Sequence, residues 1–477
     1  MISESFAYPK LMGFFEAISA IPRGSYHEEK IADYLERFAT ERGLDCYRDT
    51  LGNVLINCPA TAGYEDRAPI LLQGHTDMVC EKNEGVEHDF LTDPLELYVE
   101  DGWLRARGTT LGADDGVAVA MMLAILDDET VSHPALQCLF TVSEEVGLDG
   151  IKGFDHSRIT ARKLLNLDSP DETTIVVGCA GGLRSSVRVP VAREPWKGTP
   201  LKLRISGLRG GHSGEDIDRG RANSNKLMGR VLLMLSRETE LRLISVSGGT
   251  KDNAIPREAE ATVLVADTAV AIRRIQALAA EIKAELCAED GEFELDARTV
   301  AADDALSMTK ADTEKLILLL STVANGVLWR NMALEGMVEY SRNLGIVSTE
   351  EHSVELVFSS RSARDTQIDL SAAELDAYAG QVGGQTRHYN RYPGWTYAVQ
   401  SDIRDSYVAA YREILGSEPN VEVIHAGLEC GIIKEAIPDM DIISCGPNVK
   451  NLHSPDEALH LGSFERFFRV LLSMLKE

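Results

Sequence analysis

Five times along this chain, a carboxylate or a histidine stands directly after a short apolar run. The five segments are Gly74-His75-Thr76-Asp77, Gly112-Ala113-Asp114-Asp115, Ser143-Glu144-Glu145, Leu167-Asp168-Ser169 and Leu452-His453-Ser454-Pro455. Apolar runs such as 68–73, 136–142 and 163–167 are typical of buried parallel strands. Open parallel sheets gather their ligands outside the carboxyl ends of their strands. We therefore expect the five segments to converge on one site.

Each segment taken alone has a simpler interpretation. A single histidine after a strand is usually a surface or capping residue, and a single aspartate there usually caps the next helix. The set is different, because two histidines and three carboxylates suit a pair of divalent ions with one carboxylate between them. Imidazole and carboxylate ligands favour two Zn²⁺ per chain, with Co²⁺ or Mn²⁺ as possible substitutes. Two ions about 3.5–4 Å apart can share a water, acidify it and polarise a carbonyl.

Such a site also needs a proton shuttle that does not bind metal. The neighbouring residues Glu144 and Glu145 can supply both functions, because successive side chains diverge: one can bind an ion while the other reaches the water. Asp77, two residues after His75, suits a partner that orients the imidazole.

The length of 477 residues exceeds one ordinary core, so two domains are expected. Helices and strands alternate up to about residue 185, strands dominate the middle of the chain, and the α/β texture then returns. We predict an α/β fold whose catalytic domain, with a mostly parallel central sheet, comprises residues 1–186 and 398–477. Residues 187–397 form an inserted α+β domain.

The acidic composition argues against two classes of binding partner. A net charge of −27 argues against nucleic acid and against anionic membrane surfaces. No apolar run is long enough to span a bilayer, and Glu16 interrupts the first apolar stretch, so no signal peptide is expected. The eight cysteines form no CxxC pair, which is typical of a reduced, cytoplasmic protein.

Longer motifs give a specific resemblance. The sequence resembles the aminoacylase/carboxypeptidase-like dizinc peptidase family, and within it the bacterial branch of aminoacyl-histidine dipeptidases, or cytosol non-specific dipeptidases. The matching segments extend almost from end to end: Gly-His-Thr-Asp-Met-Val (74–79), Arg-Gly-Thr-Thr-Leu-Gly-Ala-Asp-Asp-Gly (107–116), Glu-Glu-Val-Gly-Leu-Asp-Gly (144–150), Gly-Cys-Ala-Gly-Gly (178–182), Gly-Gly-His-Ser-Gly (210–214), Asn-Ala-Ile-Pro-Arg-Glu (253–258), Tyr-Pro-Gly-Trp (392–395), His-Ala-Gly-Leu-Glu-Cys-Gly (425–431) and His-Ser-Pro-Asp-Glu (453–457).

The resemblance implies a zinc-peptidase-like catalytic domain, a lid function for the insert, and a role for each site residue. The implied ligands are His75 and Asp168 for one zinc, Glu145 and His453 for the other, and Asp114 as the bridge. Glu144 is the implied general base and later acid, and Asp77 orients His75. Asp115 stays the alternative bridge, because this sequence lacks the Lys that most branches have shortly after the bridging residue. The family often has a cis peptide bond after that residue.

Further residues are implied to contact substrate. His212 would donate a hydrogen bond to the developing oxyanion, and Asn253 and Arg361 would hold the substrate carboxylate. Glu429 would receive the substrate ammonium. The simpler alternatives are a strand-edge surface position for Arg361, a turn position for Asn253 and a structural carboxylate at Glu429.

The predicted function is a metal-dependent dipeptidase that cleaves short peptides, of the aminoacyl-histidine type and more broadly. The main alternative is an N-acyl amino acid deacylase with the same two-metal site. A binding protein that has lost its metals, and an assembly built for protein interaction, fit the retained carboxylates and histidines less well. The resemblance also implies a homodimer formed through the lid, and leaves open whether His212 acts within its own subunit or across the interface.

Overall fold

A computed structural model describes residues 2–301, 306–332 and 336–476. Labels below follow chain order. The α-helices are α1 (Pro9–Ser19), α2 (Glu29–Glu41), α3 (Ala113–Leu126), α4 (Asp149–Gly153), α5 (Ser224–Ser236), α6 (Thr268–Glu285), α7 (Lys310–Thr322), α8 (Asp365–Val382), α9 (Asp402–Leu415), α10 (Glu429–Ala436) and α11 (Leu461–Met474). Short 3₁₀ turns lie at Ile2–Ser5, His156–Arg158 and Ala288–Asp290.

The strands fall into several sheets. They are β1 (Asp45–Arg48), β2 (Val54–Cys58), β3 (Ile70–His75), β4 (Leu97–Glu100), β5 (Trp103–Ala106), β6 (Leu136–Thr141), β7 (Lys163–Asn166), β8 (Thr174–Cys179), β9 (Gly181–Pro190), β10 (Arg193–Glu194), β11 (Thr199–Ser206), β12 (Gly211–His212), β13 (Leu241–Gly248), β14 (Ala254–Ile255), β15 (Ala259–Val265), β16 (Glu294–Thr299), β17 (Ser307–Met308), β18 (Gly326–Arg330), β19 (Val338–Thr349), β20 (Ser353–Ser362), β21 (Gln385–Tyr392), β22 (Asn420–Ile424), β23 (Asp441–Ser444), β24 (Val449–Lys450) and β25 (Ala458–His460).

The chain divides into two compact units. The first unit comprises Met1–Gly178, Thr396–Val423 and Leu428–Glu477, and the second comprises Cys179–Trp395 and Ile424–Gly427. The sequence places the insert at 187–397, whereas the second unit begins at Cys179 and also takes in the short segment Ile424–Gly427. The predicted action of the insert as a lid stays a prediction.

The first unit is built on an eight-stranded sheet with the order β1-β2-β6-β3-β7-β23-β8-β22. The central strands β6, β3, β7 and β23 run parallel, and β1 and β2 are antiparallel at one side. Strands β3 and β6 are buried along their whole length, as parallel strands covered on both faces must be. Helix α3 packs on β3 and is apolar around most of its circumference, so it too is buried. A smaller sheet has the order β24-β25-β5-β4.

The second unit is built on an antiparallel sheet with the order β16-β11-β15-β13-β19-β20-β9-β21, and β18 pairs with β19. Strand β11 shows why one face is covered: Leu201, Leu203 and Ile205 are buried, whereas Lys202 and Arg204 are not. This alternation directs every second side chain to a core shared with α5, α6, α7 and α8. The unit is therefore an α+β arrangement with its own hydrophobic core.

The predicted fold class is confirmed: an α/β unit with parallel central strands is interrupted by an α+β unit. None of the described helices has the length and apolar character needed to cross a membrane.

Candidate metal centre and substrate-binding groups

Histidine and carboxylate side chains from several segments of the first unit lie close together. Three groups have ligand atoms within 4.8 Å of one another: His75 with Asp114 and Asp168, His75 with Glu144 and Glu145, and Asp114 with Glu145 and His453. All five predicted metal ligands and the predicted base Glu144 belong to these groups. The predicted convergence is thus observed, although the role of each residue stays a prediction.

The sequence led us to expect that each of these residues directly follows a strand of the parallel sheet. This expectation is correct in part. His75 ends β3, and the segments of Glu144 and Asp168 come shortly after β6 and β7. For Asp114 and His453 the expectation is wrong, because neither follows a strand of the central sheet. Asp114 lies at the start of α3, and His453 lies in a turn beyond β24 of the small sheet. Contacts other than strand ends must therefore position these two residues.

His75 is buried, with 1% of its surface exposed, and both ring nitrogens face acidic residues. Nε2 lies 2.9 Å from Oδ1 of Asp114 and 3.6 Å from Oδ1 of Asp168. Nδ1 lies 3.1 Å from the carbonyl oxygen of Asp77 and 3.4 Å from Oδ1 of the same residue. Although burial opposes a charge on His75, the hydrogen bonds to Asp114, Asp168 and Asp77 raise its pKa well above the usual value. Asp77 thus lies where a residue that orients the imidazole is expected.

Asp77 also fixes the neighbouring loop. Its carboxylate accepts hydrogen bonds from the backbone N–H groups of Glu144 at 3.0 Å and Glu145 at 3.3 Å. The hydroxyl of Ser25 donates to it at 2.8 Å. One buried side chain therefore contacts both the candidate ligand His75 and the loop that carries the candidate base.

The neighbours Asp114 and Asp115 have different surroundings. The Asp114 carboxylate lies between two imidazoles, with Oδ1 2.9 Å from His75 Nε2 and Oδ2 3.2 Å from His453 Nε2. Asp115 instead accepts backbone N–H groups of His75 and Ala118 at 3.2 and 3.4 Å. Burial and the charge of nearby Asp168 raise the pKa of the Asp115 carboxyl well above its usual range. The bond between the two aspartates is a cis peptide.

Glu144 stands beside the carboxylates without lying between the imidazoles. Burial raises its pKa well above the usual value, and the charges of Asp168, Glu429 and Glu145 act in the same direction. A carboxylate with a raised pKa is a stronger proton acceptor than an ordinary one. Glu144 therefore has the electrostatic environment of a general base.

The donor set fits a pair of divalent ions. Oε1 of Glu145 is buried and accepts no well-aligned hydrogen bond from the described residues, although Nε2 of His453 lies 3.1 Å away. Burial raises the pKa of Asp168 to about 6, and nearby Asp114 and Glu145 contribute. This crowding of carboxylates is relieved by cations, and mixed imidazole and carboxylate ligands are those that zinc and similar metals prefer.

Ion binding to this cluster is expected to release protons. The carboxylates of Asp114 and Glu145 beside its Nε2 raise the pKa of His453 to about 10, so its imidazole carries an extra proton at neutral pH. That proton must leave before the nitrogen can bind metal. The affinity for divalent ions should therefore increase with pH, by about tenfold per pH unit for each proton released. Competition with a chromophoric chelator at several pH values measures this slope, and an affinity that does not change with pH would contradict the assignment.

The second unit contains a separate cluster around His212 and Arg361. The backbone N–H of Glu215 lies 3.3 Å from His212 Nδ1, and Nη2 of Arg361 lies 3.3 Å from His212 Nε2. Both neighbours are donors, and a neutral imidazole accepts at one nitrogen alone, so the ring satisfies only one of them. Burial and the charge of Arg361 lower the pKa of His212, which favours the neutral form. A guanidinium and an imidazole thus stand side by side, and an anionic oxygen can accept from both when the ring carries its proton on Nε2.

Arg361 is buried, with 4% of its surface exposed, and lies on β20 between β9 and β19. The alternative of a strand-edge surface residue is wrong for this position, because paired strands cover it on both sides. Nη1 donates to the hydroxyl of Tyr392 at 3.1 Å. Buried Nε has no hydrogen-bond partner among the described residues.

Asn253 and Glu429 differ in burial. Asn253 is exposed in the turn before β14, and its carbonyl accepts from the N–H of Ser213, beside His212. Glu429 is fully buried at the start of α10, where it accepts hydrogen bonds from Gln73 and, at 2.7 Å, from the hydroxyl of Thr141. Burial raises its pKa to about 7. These contacts favour the structural alternative for Glu429, although its Oε1 accepts no hydrogen bond from the described part of the chain.

Sequence reasoning missed several residues that support the site. Glu28 accepts hydrogen bonds from the N–H and hydroxyl of Ser143 at 2.9 and 3.0 Å, next to Glu144. Buried Arg23 donates to the carbonyl of Thr76 at 2.9 Å. Glu457 contacts the loop before Asp114. The sequence offered a signal for Glu457 alone, because it ends the His-Ser-Pro-Asp-Glu motif.

Comparisons with known proteins agree over nearly the whole chain. The cytosol non-specific dipeptidase of Escherichia coli (strain K12) is 40% identical over 471 residues, which are 98% of this chain and 97% of that protein. The crystal structure of aminoacylhistidine dipeptidase from Vibrio alginolyticus superimposes with a TM-score of 0.95 and 38% identity, covering 99% of this chain and 97% of that chain.

More distant structures share the fold alone. Aminopeptidase PepT from Bacillus cereus ATCC 10987 has a TM-score of 0.57 at 16% identity and covers 99% of this chain and 98% of that chain. The sequence profile of Peptidase family M20/M25/M40 matches residues 71–477, which include every candidate metal ligand. This chain therefore belongs to Peptidase family M20/M25/M40.

Proposed function

We propose that this chain hydrolyses dipeptides with a water activated at two divalent ions and a glutamate base. The chain is a metal-dependent dipeptidase, as its family and its likeness to two dipeptidases over nearly their full lengths indicate. One observation carries the proposed chemistry: two imidazoles and three carboxylates converge around Asp114, with Glu144 beside them. The remaining steps concern which residue does what.

His75 and Asp168 would hold one ion, and Glu145 and His453 the other. Asp114 is the proposed bridge, supported by its position between the two imidazoles. Zinc is the proposed metal, two ions per chain, with Co²⁺ or Mn²⁺ as substitutes. Bound ions would acidify a water and polarise the peptide carbonyl.

Glu144 is proposed to take a proton from the attacking water and to return it to the departing amine. Its raised pKa supports both transfers, since a carboxylate with a raised pKa is a stronger proton acceptor than an ordinary one and can later return the proton. Asp77 is proposed to keep the His75 ring oriented and the Glu144 loop in place through its contacts with His75, Glu144 and Glu145.

His212 and Arg361 are the proposed donors to the anionic parts of the substrate. The Nε2–H of His212 would stabilise the oxyanion, and Arg361, together with Asn253, would bind the terminal carboxylate. The Nε of Arg361 has no hydrogen-bond partner within the described ranges, and this supports the assignment, because a buried guanidinium donor without a partner is costly unless a ligand satisfies it. For Glu429, binding of the substrate ammonium remains an alternative to its structural role.

A substrate panel tests the proposed activity. An aminoacyl-histidine dipeptide should be hydrolysed at least about tenfold faster than an N-acetyl amino acid. A dipeptidase site is expected to bind both charged termini of its substrate, and the N-acetyl compound lacks the N-terminal ammonium. The same dipeptide with an amidated C-terminus should lose at least about tenfold in kcat/KM, because the amide leaves Arg361 without its carboxylate. Steady-state kinetics with each compound measure both ratios.

Treatment with a chelator is the control for this panel. Activity should disappear on chelation and return when zinc, cobalt or manganese is added back. Preference for the N-acetyl compound would favour the deacylase instead, and activity that survives complete metal removal would reject both two-metal hydrolases.

Two further proposed properties are the cellular location and the oligomeric state. The name of the Escherichia coli relative supports a cytoplasmic location, and the family resemblance supports a homodimer formed through the second unit. Sedimentation of the purified chain tests the dimer, and mixing inactive variants of His212 and Glu144 tests whether His212 serves a partner subunit.

A further inference from the structure

The carboxylate of Glu457 accepts hydrogen bonds from four successive backbone N–H groups. Oε2 accepts from Leu111 at 2.8 Å and Gly112 at 2.9 Å, and Oε1 accepts from Ala113 at 2.8 Å and Asp114 at 3.3 Å. The side chain is 2% exposed. Hydrogen bonds from N–H groups to a carboxylate are short and strong, and four of them fix the path of a loop.

The loop held in this way ends at Asp114 and begins helix α3. Gly112 adopts a left-handed conformation with φ 62°. A Cβ there would lie 2.6 Å from Nη2 of Arg23 and 2.8 Å from Sδ of Met78, so the left-handed conformation and these close contacts both favour glycine. The loop therefore has one tightly defined conformation, which the Glu457 carboxylate stabilises.

Arg23 holds the same loop from its carbonyl side. Its guanidinium donates to the carbonyl of Gly112 and, at 2.9 Å, to that of Thr76, next to His75. This buried cation also compensates the charge of the Glu457 carboxylate. Without it, that charge would be buried with no counter-charge nearby. The loops of His75 and Asp114 are thus joined through one guanidinium.

Glu457 is also hydrogen-bonded to the turn that contains His453. Its backbone N–H donates to the carbonyl of Ser454 at 3.0 Å, and the Ser454 hydroxyl donates to the carbonyl of Asn451 at 2.7 Å. Glu457 itself belongs to none of the groups of candidate ligands among the described residues. It therefore connects the segments of two candidate ligands without being one.

We propose that Glu457 is a positioning residue that sets the separation of Asp114 and His453, and thereby the affinity of the site for its ions. This inference rests on the proposed two-metal function. It explains how two ligands that follow no strand of the central sheet reach the same site as those that do.

Glu457→Gln tests the proposal, because an amide keeps the shape but turns one acceptor into a donor. Two of the four N–H groups would then face an NH₂ group. The dissociation constant for Zn²⁺, measured by chelator competition, should rise about 10- to 100-fold, the usual effect of losing a residue that supports metal ligands. The kcat should fall at a saturating dipeptide concentration with little change in KM. Glu457→Asp, which keeps both oxygens but is one methylene shorter, should give an intermediate affinity.

Asp312→Asn is the matched control. Asp312 is also a buried carboxylate and accepts the N–H of Ala192 at 2.9 Å, but it lies in the second unit. Its loss should lower the melting temperature without changing zinc affinity.

If the wild-type chain binds no divalent ions, the proposed function fails. If it binds them and folded Glu457→Gln and Glu457→Asp bind equally well, the positioning role is overturned. Should Glu457→Gln not fold, as judged by circular dichroism, wild-type affinity in Glu457→Asp overturns it alone.

Discussion

Glu144→Gln is expected to lower kcat for dipeptide hydrolysis by about 10²–10⁴-fold while the protein keeps its full metal content. Glutamine has nearly the same shape as glutamate but cannot take a proton from water. The loop should remain in place, because its N–H groups are held by Asp77 and Glu28 and not by the Glu144 side chain. Steady-state kinetics and metal analysis by atomic emission on the same sample measure the two quantities.

Asp441→Asn serves as the control for this variant. Asp441 is a carboxylate of the first unit that caps α9 through the hydroxyl of Ser401 and the N–H of Ile403, and it takes no part in the candidate site. Its replacement should leave kcat within about twofold of the wild-type value, because a helix cap outside the candidate site contributes to stability alone. Near-normal turnover in Glu144→Gln would reject Glu144 as the base. Loss of metal would instead make it a ligand.

The sequence predicted most accurately those site residues whose positions are set by the ends of parallel strands. His75, Glu144 and Asp168 follow β3, β6 and β7, which pair in parallel, so their side chains must reach one edge of the sheet. A short apolar run carries enough information to place such residues, because a buried parallel strand leaves few alternatives. The α/β class and the change to antiparallel strands could be read from the same local patterns.

The sequence predicted less where position depends on distant contacts. Asp114 and His453 reach the site through loops held by Glu457, and a buried carboxylate that binds backbone N–H groups leaves no periodic pattern. Arg361 stands in a polar stretch, Ser359-Ser360-Arg361-Ser362, that reads as a surface strand. It is buried because β9 and β19 pair on either side of it, and their pairing joins residues far apart in the chain.

Asp114→Ala is expected to remove both ions, whereas His453→Ala should remove one. The reason is that the Asp114 carboxylate faces both imidazoles, with one oxygen toward each, so each ion would lose a ligand at once. Zinc affinity at both positions should fall by at least about 100-fold, more than the loss of a supporting residue costs. Turnover should fall to background. Equilibrium dialysis against zinc measures the number of ions that each variant retains.

Asp115→Asn separates this expectation from a general effect of disturbing the start of α3. The Asp115 carboxyl belongs to none of the groups of candidate ligands among the described residues, and burial raises its pKa well above the usual range, so asparagine there leaves the proposed ligand set unchanged. This variant should keep both ions and lose stability alone, through weaker hydrogen bonds to the N–H groups of His75 and Ala118. If Asp115→Asn lost both ions while Asp114→Ala kept them, the bridge would be Asp115. The proposed mechanism would then need a different arrangement of ligands around His75 and His453.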